Sequence, residues 1–290
     1  MTEADLTVAV TRPTGTFGFG LIPVLQGDDR VRRIVGIARR AFDPAVYGWT
    51  KMAYRRGDVR DPDALRDAFS HADVVVHLAF LVTGAASSEA IRSVNLDGTL
   101  NAFRAAAAAG VLCFVYASSV AAYGFHPDNP VGMTEEWPVR PSARLFYARQ
   151  KAELEPLLRA EAALAGGPAL YLPRPPIVLG RHAIGAKDLL PAPLAPLSRA
   201  LAGRVRRFPL PVPVLVPLRV GPAHLAARAV AALPFLPSAA QWVEAASHPV
   251  IVDTTRAREE LGWSPRFTAL EALRDTVRRG LRPARSVPGG

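Results

Sequence analysis

A tyrosine and a lysine four positions apart, in Tyr147-Ala-Arg-Gln-Lys151, could carry out proton transfer. The segment is predicted to be helical, and at this spacing the phenol and the ammonium lie on one face of the helix. A phenol with a pKa of about 10 is a poor base at neutral pH, and a neighbouring cation favours its phenolate form. The pair therefore predicts a tyrosine general acid/base. A surface helix pair is the alternative, because this spacing also occurs by chance.

A glycine-containing turn, Thr11-Arg-Pro-Thr-Gly15-Thr-Phe-Gly18, follows the first apolar run of the chain. Between a strand and a helix, such a turn lets backbone N–H groups and the helix N-terminus approach a pyrophosphate. Gly15 and Gly18 have the spacing needed for close approach and for packing of the helix on the strand. Loops after strands often contain glycine, so the interpretation depends on the surrounding elements. The residues that we assign to this dinucleotide site are Thr11, Arg12, Thr14, Gly15, Thr16, Phe17 and Gly18.

The second apolar run ends in Gly36-Ile-Ala-Arg39-Arg40 and carries no carboxylate at its end. A unit that prefers NAD places Asp or Glu on the ribose hydroxyls at this point, whereas arginine binds phosphate through paired hydrogen bonds. Arg39 and Arg40 therefore favour NADP(H) over NAD(H) through the 2′-phosphate. The alternative is an ordinary pair of surface arginines, because the chain contains 32 of them.

Six short apolar runs alternate with helix-like segments in the first 180 residues. The runs are Leu6–Thr11, Arg33–Ala38, Tyr54–Val59, Asp73–Leu78, Val111–Ala117 and Ala169–Ile177. The helix-like segments are Thr16–Gln26, one that starts at Asp61, Ser87–Gly110 and Ser142–Ala165. Apolar strands that alternate with helices predict an α/β fold with a parallel sheet covered on both faces. After Gly180, the proline-rich stretch 188–238 predicts short elements and ordered loops, with later helices near Pro222–Ala232 and Ala269–Arg279.

The charge balance restricts the classes of partner. Thirty-five basic and 25 acidic residues give a net charge of +10, and only Lys51, Lys151 and Lys187 are lysines. The arginines are scattered rather than gathered into a stripe, so we expect a solvated surface and no nucleic-acid partner. The single cysteine, Cys113, leaves no zinc spacing and no internal disulfide. No apolar stretch reaches membrane-spanning length and no signal-peptide pattern is present, so we expect no membrane partner and a cytoplasmic location.

These motifs resemble those of the extended branch of the short-chain dehydrogenase/reductase superfamily, the epimerase/dehydratase-like proteins. The turn of that family reads T-G-x-x-G-x-x-G, and this chain has Arg12 at the first glycine. That position often needs a backbone suited to glycine, and a left-handed non-glycine residue costs ~1–2 kcal/mol. Arg12 either helps to hold a cofactor phosphate or crowds the turn, and we favour retained binding. We expect a doubly wound Rossmann domain at residues 1–180 and a smaller substrate-binding lobe at 181–290.

Further segments carry the resemblance through the sheet. Gly57-Asp58-Val59 is similar to the adenine-contacting G-D-V/L, and Asp73-Val-Val-Val-His77-Leu78-Ala79 is similar to D-V-V-x-H-L-A. Asn95-Leu-Asp-Gly98-Thr99 resembles N-x-x-G-T, and the segment 173–180 resembles R-P-x-N-V-Y-G. The resemblance implies cofactor contacts from Asp58, Val59, Leu78, Ala79, Asn95, Tyr147, Lys151, Pro175 and Ile177. Ile177 replaces an asparagine that helps to bind substrate phosphates in nucleotide-sugar enzymes, so a more apolar substrate is favoured. The alternative is that the apolar residues after it build the core of the lobe.

The segment Ala117-Ser118-Ser119-Val-Ala-Ala-Tyr123-Gly124 is similar to the S-S-x-x-x-Y-G of the family. The resemblance implies that Ser119 hydrogen-bonds the reacting oxygen, that Tyr147 is the general acid/base, and that Lys151 lowers its pKa and binds the nicotinamide ribose. We expect an NAD(P)-dependent oxidoreductase that moves a hydride between nicotinamide and a carbonyl or secondary alcohol of a small substrate. The alternatives are a sugar or nucleotide-sugar epimerase and a non-catalytic NAD(P)-binding sensor. From the family alone, the helices at 87–110 and 142–165 are expected to pair into a homodimer.

Overall fold

The six predicted strands form one parallel sheet in a computed structural model of the chain, which describes residues 5–82, 87–143, 145–164, 166–176, 178, 248, 250–268 and 271–272. The strands are β1 (Leu6–Thr11), β2 (Val31–Ala38), β3 (Met52–Arg56), β4 (Val74–His77), β5 (Cys113–Tyr116) and β6 (Ala169–Tyr171). Their order is β3-β2-β1-β4-β5-β6, with every neighbouring pair parallel. This is the doubly wound Rossmann order, so the predicted fold class is confirmed. The order changes direction between β1 and β4, where this fold binds ligands at the carboxyl ends of the strands.

Helices connect the strands largely as predicted. The described helices are α1 (Thr16–Gln26), α2 (Pro62–Phe69), α3 (Ser88–Arg92), α4 (Gly98–Ala108), α5 (Phe146–Ala162) and α6 (Thr255–Leu261). Asp61 caps α2, because its carboxylate accepts hydrogen bonds from two N–H groups of the first turn. The single helix predicted at Ser87–Gly110 is wrong in one respect, because a π-helical turn at Ser93–Asp97 divides it. The wider turn buries three consecutive residues, which a regular helix would distribute around its circumference.

Both faces of the sheet are covered by apolar side chains. On one face, Leu65 of α2, Phe103 of α4 and Leu154 of α5 belong to one buried cluster with the sheet. On the other face, Ile22 of α1 packs with Ile34 of β2 in a second cluster. Burial of each such side chain contributes about 1.5–3 kcal/mol. Since both faces are buried, the strands have continuous apolar runs rather than alternating patterns.

The sixth strand is shorter than the sequence predicts. β6 covers Ala169–Tyr171, whereas the prediction extends to residue 177. Three of the residues that follow are prolines, which have no N–H to donate to a neighbouring strand. Their carbonyls remain available, and the Ser118 N–H donates to the Pro173 carbonyl oxygen at 2.9 Å. The segment after β6 therefore still lies beside the loop that follows β5.

Little of the predicted second lobe falls within the described residues. Met133 and Val252 form a short parallel bridge, and α6 follows without having been predicted. The predicted boundary at residue 180, the helix at Pro222–Ala232 and most of that at Ala269–Arg279 lie outside the described residues. Within the described part of the chain, no helix combines the length and the apolarity needed to cross a membrane.

Candidate functional site

Thr11 ties the ends of β1 and β4 together at the point where the strand order reverses. Its Oγ1 accepts hydrogen bonds from the N–H groups of Leu78 (2.9 Å) and Ala79 (3.0 Å). The His77 ring lies between two hydroxyls, with Nδ1 at 3.2 Å from Thr11 Oγ1 and Nε2 at 3.1 Å from Thr99 Oγ1. Burial lowers the pKa of His77 to about 3, so the imidazole is neutral and structural. These contacts hold the backbone of Leu78 and Ala79 beside the glycine turn.

The turn between β1 and α1 is tight at two positions. Arg12 has a φ of 53°, and it is the one non-glycine residue with positive φ among those described. Its N–H donates to the Ile37 carbonyl oxygen at 2.8 Å, and its own carbonyl accepts from the Gly15 N–H at 3.0 Å. A Cβ at Gly18 would lie 2.0 Å from the Pro13 carbonyl oxygen, so a side chain there is excluded.

The start of α1 suits an anion. Gly15 precedes the helix, and the first turn contains no acidic residue that would oppose the positive end of the helix dipole. Thr14 and Thr16 are half-buried, and Phe17 is exposed. The compact turn and the unopposed helix terminus fit the phosphates of a dinucleotide.

Three arginines lie at the carboxyl ends of β1 and β2, and we call Arg12, Arg39 and Arg40 the arginine cluster. Arg39 and Arg40 are exposed, but their backbone is fixed by β3. The Tyr54 hydroxyl donates to the Ala38 carbonyl oxygen at 3.3 Å, and Arg56 Nε donates to the Arg39 carbonyl oxygen at 3.0 Å. Burial lowers the pKa of Arg12, and the charges of Arg39 and Arg40 lower it further.

Ser119 and Tyr147 meet across the loop that follows β5. Ser119 is buried, and its Oγ accepts the Ala121 N–H at 3.1 Å, capping the 3-10 turn Val120–Tyr123. Burial raises the pKa of Tyr147, and a hydrogen bond between the two side chains lowers it by less. The net result is a phenol with a raised pKa, which is protonated at neutral pH.

Lys151 completes this group, and we call Ser119, Tyr147 and Lys151 the catalytic cluster. Its Nζ donates to the Ala117 carbonyl oxygen at 2.5 Å. The ammonium also lies 3.8 Å from the ring centroid of Phe80, 4.5 Å from that of Tyr116 and 5.8 Å from that of Tyr147. Burial lowers the pKa of Lys151 well below its usual value. The structure therefore brings together the three residues that the sequence groups, and holds the lysine by a carbonyl and aromatic faces.

A buried ion pair, which the sequence analysis missed, lies next to the catalytic cluster. The Glu155 carboxylate accepts hydrogen bonds from Ser118 Oγ at 2.6 Å and from Arg174 at 2.9 Å (Nε) and 2.5 Å (Nη2). The side chains of Arg174 and Glu155 are only 11% and 3% exposed. Glu155 lies one helical turn after Lys151, and Ser118 precedes Ser119. The pair therefore contacts the cluster through Ser118 and through α5, and no local spacing in the sequence signals it.

The remaining predicted contact residues have distinct surroundings. Asn95 is fully buried, where it accepts from the Leu81 N–H at 2.7 Å and donates to the Leu81 carbonyl oxygen at 3.0 Å and to Gln150 Oε1 at 2.7 Å. Asn95 therefore fixes the segment after β4 against α5.

Of the other members of the predicted set, Asp58 and Val59 follow β3, and Pro175 follows β6. Asp58 forms an ion pair with Arg60 at 2.7 Å, and Val59 is buried against Gly98. The Pro175 carbonyl accepts from the N–H of residue 120 at 3.2 Å, and Ile177 lies outside the described residues. In the ranges that the structure describes, no group of three His, Cys, Asp or Glu side chains could hold a metal ion.

Comparison with known proteins gives a family match and several relatives. The model of the NAD dependent epimerase/dehydratase family matches residues 8–205. An L-arabinose 1-dehydrogenase (NAD(P)(+)) of Haloferax volcanii is 35% identical over 112 residues, which are 39% of this chain and 40% of the relative. An uncharacterised protein of Mycobacterium tuberculosis is 30% identical over 275 residues, with 79% of this chain and 72% of the relative covered. The chain spans 40%, 47% and 44% of the length of three of the curated relatives that it matches.

Among solved structures, the dTDP-glucose 4,6-dehydratase of Bacillus anthracis in complex with NAD is similar to this chain over most of its length. The two share 16% sequence identity with a TM-score of 0.65, and the alignment covers 95% of this chain and 96% of the other. At this identity the similarity shows the fold, and it agrees with the Rossmann strand order described above.

Proposed function

The chain belongs to the NAD-dependent epimerase/dehydratase family, and on that basis we propose that it is an NAD(P)-dependent oxidoreductase of the extended short-chain dehydrogenase/reductase type. The proposed reaction moves a hydride between nicotinamide and a carbonyl or secondary alcohol of a small, preferably apolar substrate. The observation that carries the proposal is the catalytic cluster beside the carboxyl end of β5, in which Ser119 and Lys151 are buried and Tyr147 is half-buried, on the crevice where Rossmann folds bind ligands. The L-arabinose 1-dehydrogenase relative supports a dehydrogenase reaction.

Each member of the catalytic cluster has a proposed role. A bound nicotinamide supplies or accepts the hydride. Tyr147 gives a proton to the carbonyl oxygen in reduction and takes it back in alcohol oxidation, and Ser119 donates a hydrogen bond to the same oxygen. Because burial raises the pKa of Tyr147, its phenol is ready to act as the acid at neutral pH. Lys151 is proposed to bind the nicotinamide ribose and to favour the phenolate when alcohol is oxidised.

The cofactor preference is proposed from the arginine cluster. Arg39 and Arg40 present two exposed guanidinium groups on a backbone that Tyr54 and Arg56 hold in place. Guanidinium binds phosphate through paired, charge-assisted hydrogen bonds, whereas ribose hydroxyls are better bound by a carboxylate. We therefore favour NADP(H) over NAD(H), with Thr11, Gly15, Gly18 and the neighbouring turn residues around the pyrophosphate.

We also propose a substrate-binding lobe, an oligomeric state and a cellular location for the protein. Residues 181–290 are proposed to form a smaller substrate-binding lobe, in keeping with the family. A homodimer through α4 and α5 is expected on the same ground, and Leu157 of α5 is an exposed apolar side chain in that region. A cytoplasmic location is proposed from the sequence.

A cofactor and substrate panel tests the function. The purified chain is mixed with NADPH or NADP+ and a series of ketones, aldehydes, secondary alcohols and aldoses, including L-arabinose, while the nicotinamide absorbance is followed. We expect net oxidation or reduction with at least one substrate class. Interconversion of sugar epimers without any change in absorbance would replace this function by an epimerase. Tight dinucleotide binding without any turnover would support a sensor instead.

A further inference from the structure

Arg12 has a backbone conformation that usually belongs to glycine. Its φ of 53° lies in the left-handed region, where the Cβ of an ordinary residue is strained. Strained backbone persists where the surrounding structure determines it, and it is concentrated at sites that bind ligands. The two backbone hydrogen bonds of Arg12, to Ile37 and from Gly15, provide that determination.

The side chain of Arg12 crosses the crevice between β1 and β4. Its Nη1 donates to the carbonyl oxygen of Phe80, which lies three residues beyond the end of β4. Its Nε lies 3.3 Å from the point that a Cβ on Gly15 would occupy, so the side chain passes close to Gly15. The guanidinium therefore lies where the strand order reverses, which is the place where a Rossmann fold binds a dinucleotide.

The charge of Arg12 is not balanced locally. Within the described residues, no carboxylate lies at ion-pair distance from Arg12, Arg39 or Arg40, although ten ion pairs occur elsewhere. The partner of Arg12 is a neutral carbonyl, and the charged groups that act on it are the other two arginines. An anion that reached this point would find a stronger contact than the carbonyl provides.

We propose that Arg12 binds the pyrophosphate of the dinucleotide, exchanging the Phe80 carbonyl for phosphate oxygens when the cofactor enters. This inference rests on the proposed function, and it assigns to one residue a role that the glycine of the family turn cannot have. In this structure, Arg12 joins the glycine turn to the segment after β4 through its hydrogen bond to Phe80. With the cofactor bound, it becomes a pyrophosphate ligand, while Arg39 and Arg40 face the 2′-phosphate.

Equilibrium titration of Arg12→Gly tests the proposal. Glycine relieves the strained φ and restores the family pattern, so weaker binding by this variant follows from the loss of the guanidinium rather than from backbone strain. We expect NADPH to bind about tenfold more weakly to Arg12→Gly than to the wild type at low salt, as for one charge-assisted hydrogen bond. Adenosine 2′-monophosphate, which has no pyrophosphate, should bind equally to both proteins.

Two controls test whether weaker binding comes from a change in net charge or from misfolding. Arg33→Gln removes one exposed charge at the opposite end of β2 and should leave NADPH binding unchanged. Circular dichroism checks that Arg12→Gly is folded.

Equal or tighter NADPH binding by Arg12→Gly would overturn the inference and show that Arg12 crowds the turn, while wild-type binding would leave the proposed function intact. Equal weakening for adenosine 2′-monophosphate would also overturn it, because the effect would then not depend on the pyrophosphate. If neither protein binds NADPH, the proposed function fails together with the inference.

Discussion

On the β5–α5 side of the crevice, positive charge is enclosed by protein, whereas on the β1–β2 side the arginine cluster forms no ion pair in the part of the chain that the structure describes. Arg174 is paired with buried Glu155, and the Lys151 ammonium is held by a carbonyl and aromatic rings. The arginine cluster has no carboxylate at ion-pair distance within the described residues. From this difference we infer that contacts within the protein hold the proposed catalytic side, and we propose that the dinucleotide side obtains its counter-charge from the ligand.

The largest expected effect comes from Tyr147→Phe on the catalytic side. Loss of the phenolic proton removes general acid catalysis, so we expect turnover to fall by a factor on the order of 10²–10⁴. Dinucleotide affinity should change little, because the phosphates are proposed to bind at the other side of the crevice and Tyr147 is one of several expected cofactor contacts. Steady-state rates and a fluorescence titration measure the two quantities. Undiminished turnover would remove Tyr147 from the mechanism.

Replacement of Glu155 tests whether the enclosed charge braces the catalytic side. Glu155→Gln leaves Arg174 buried without an anion, which should cost ~3–5 kcal/mol of unfolding free energy. Glu153→Gln on the same helix is the matched control, because its pair with Arg92 is largely exposed and should contribute almost nothing. Denaturant unfolding of the two variants gives the comparison. Similar stabilities would contradict a bracing role for the buried pair.

A smaller effect is expected from the exposed arginines on the dinucleotide side. The double variant Arg39→Gln/Arg40→Gln should weaken NADPH binding by about tenfold and leave NADH binding nearly unchanged. The reason is that only NADPH carries the 2′-phosphate. The double variant Arg32→Gln/Arg33→Gln, near the start of β2, removes the same number of exposed charges and controls for the change in net charge. Equal losses for both dinucleotides would assign the arginines to a general electrostatic role instead of the 2′-phosphate.

Much of the sheet could be predicted from the sequence, because its signals are local. The run Leu6–Thr11 and the segment Thr16–Gln26 have the bounds of β1 and α1, since one is a β-branched run and the other a periodic helix after a glycine turn. The predicted end of β6 was wrong, because the prolines that follow the strand have no N–H to donate to a neighbouring strand. The π-helical turn at Ser93–Asp97 depends on burial within the fold, which no local pattern shows.

In the candidate site, too, the local motifs could be predicted from the sequence and the contacts between distant segments could not. The Tyr147–Lys151 spacing and the Ser119 motif are local, and the structure places these residues together. The contact between Glu155 and Arg174 was missed, because it joins α5 to the segment after β6 and has no fixed spacing in the chain. The strain at Arg12 was anticipated from the missing glycine, but the hydrogen bond to Phe80 arises from the tertiary packing of β1 beside β4.

A direct titration of the wild-type chain with NADPH and with NADH tests the central claim, that the β1–β2 side obtains its counter-charge from a dinucleotide. The account predicts saturable binding of both, with NADPH the tighter ligand, and an affinity for NADPH that falls as salt screens the arginine cluster. If neither NADPH nor NADH binds at low salt, the claim that the β1–β2 side binds a dinucleotide is wrong.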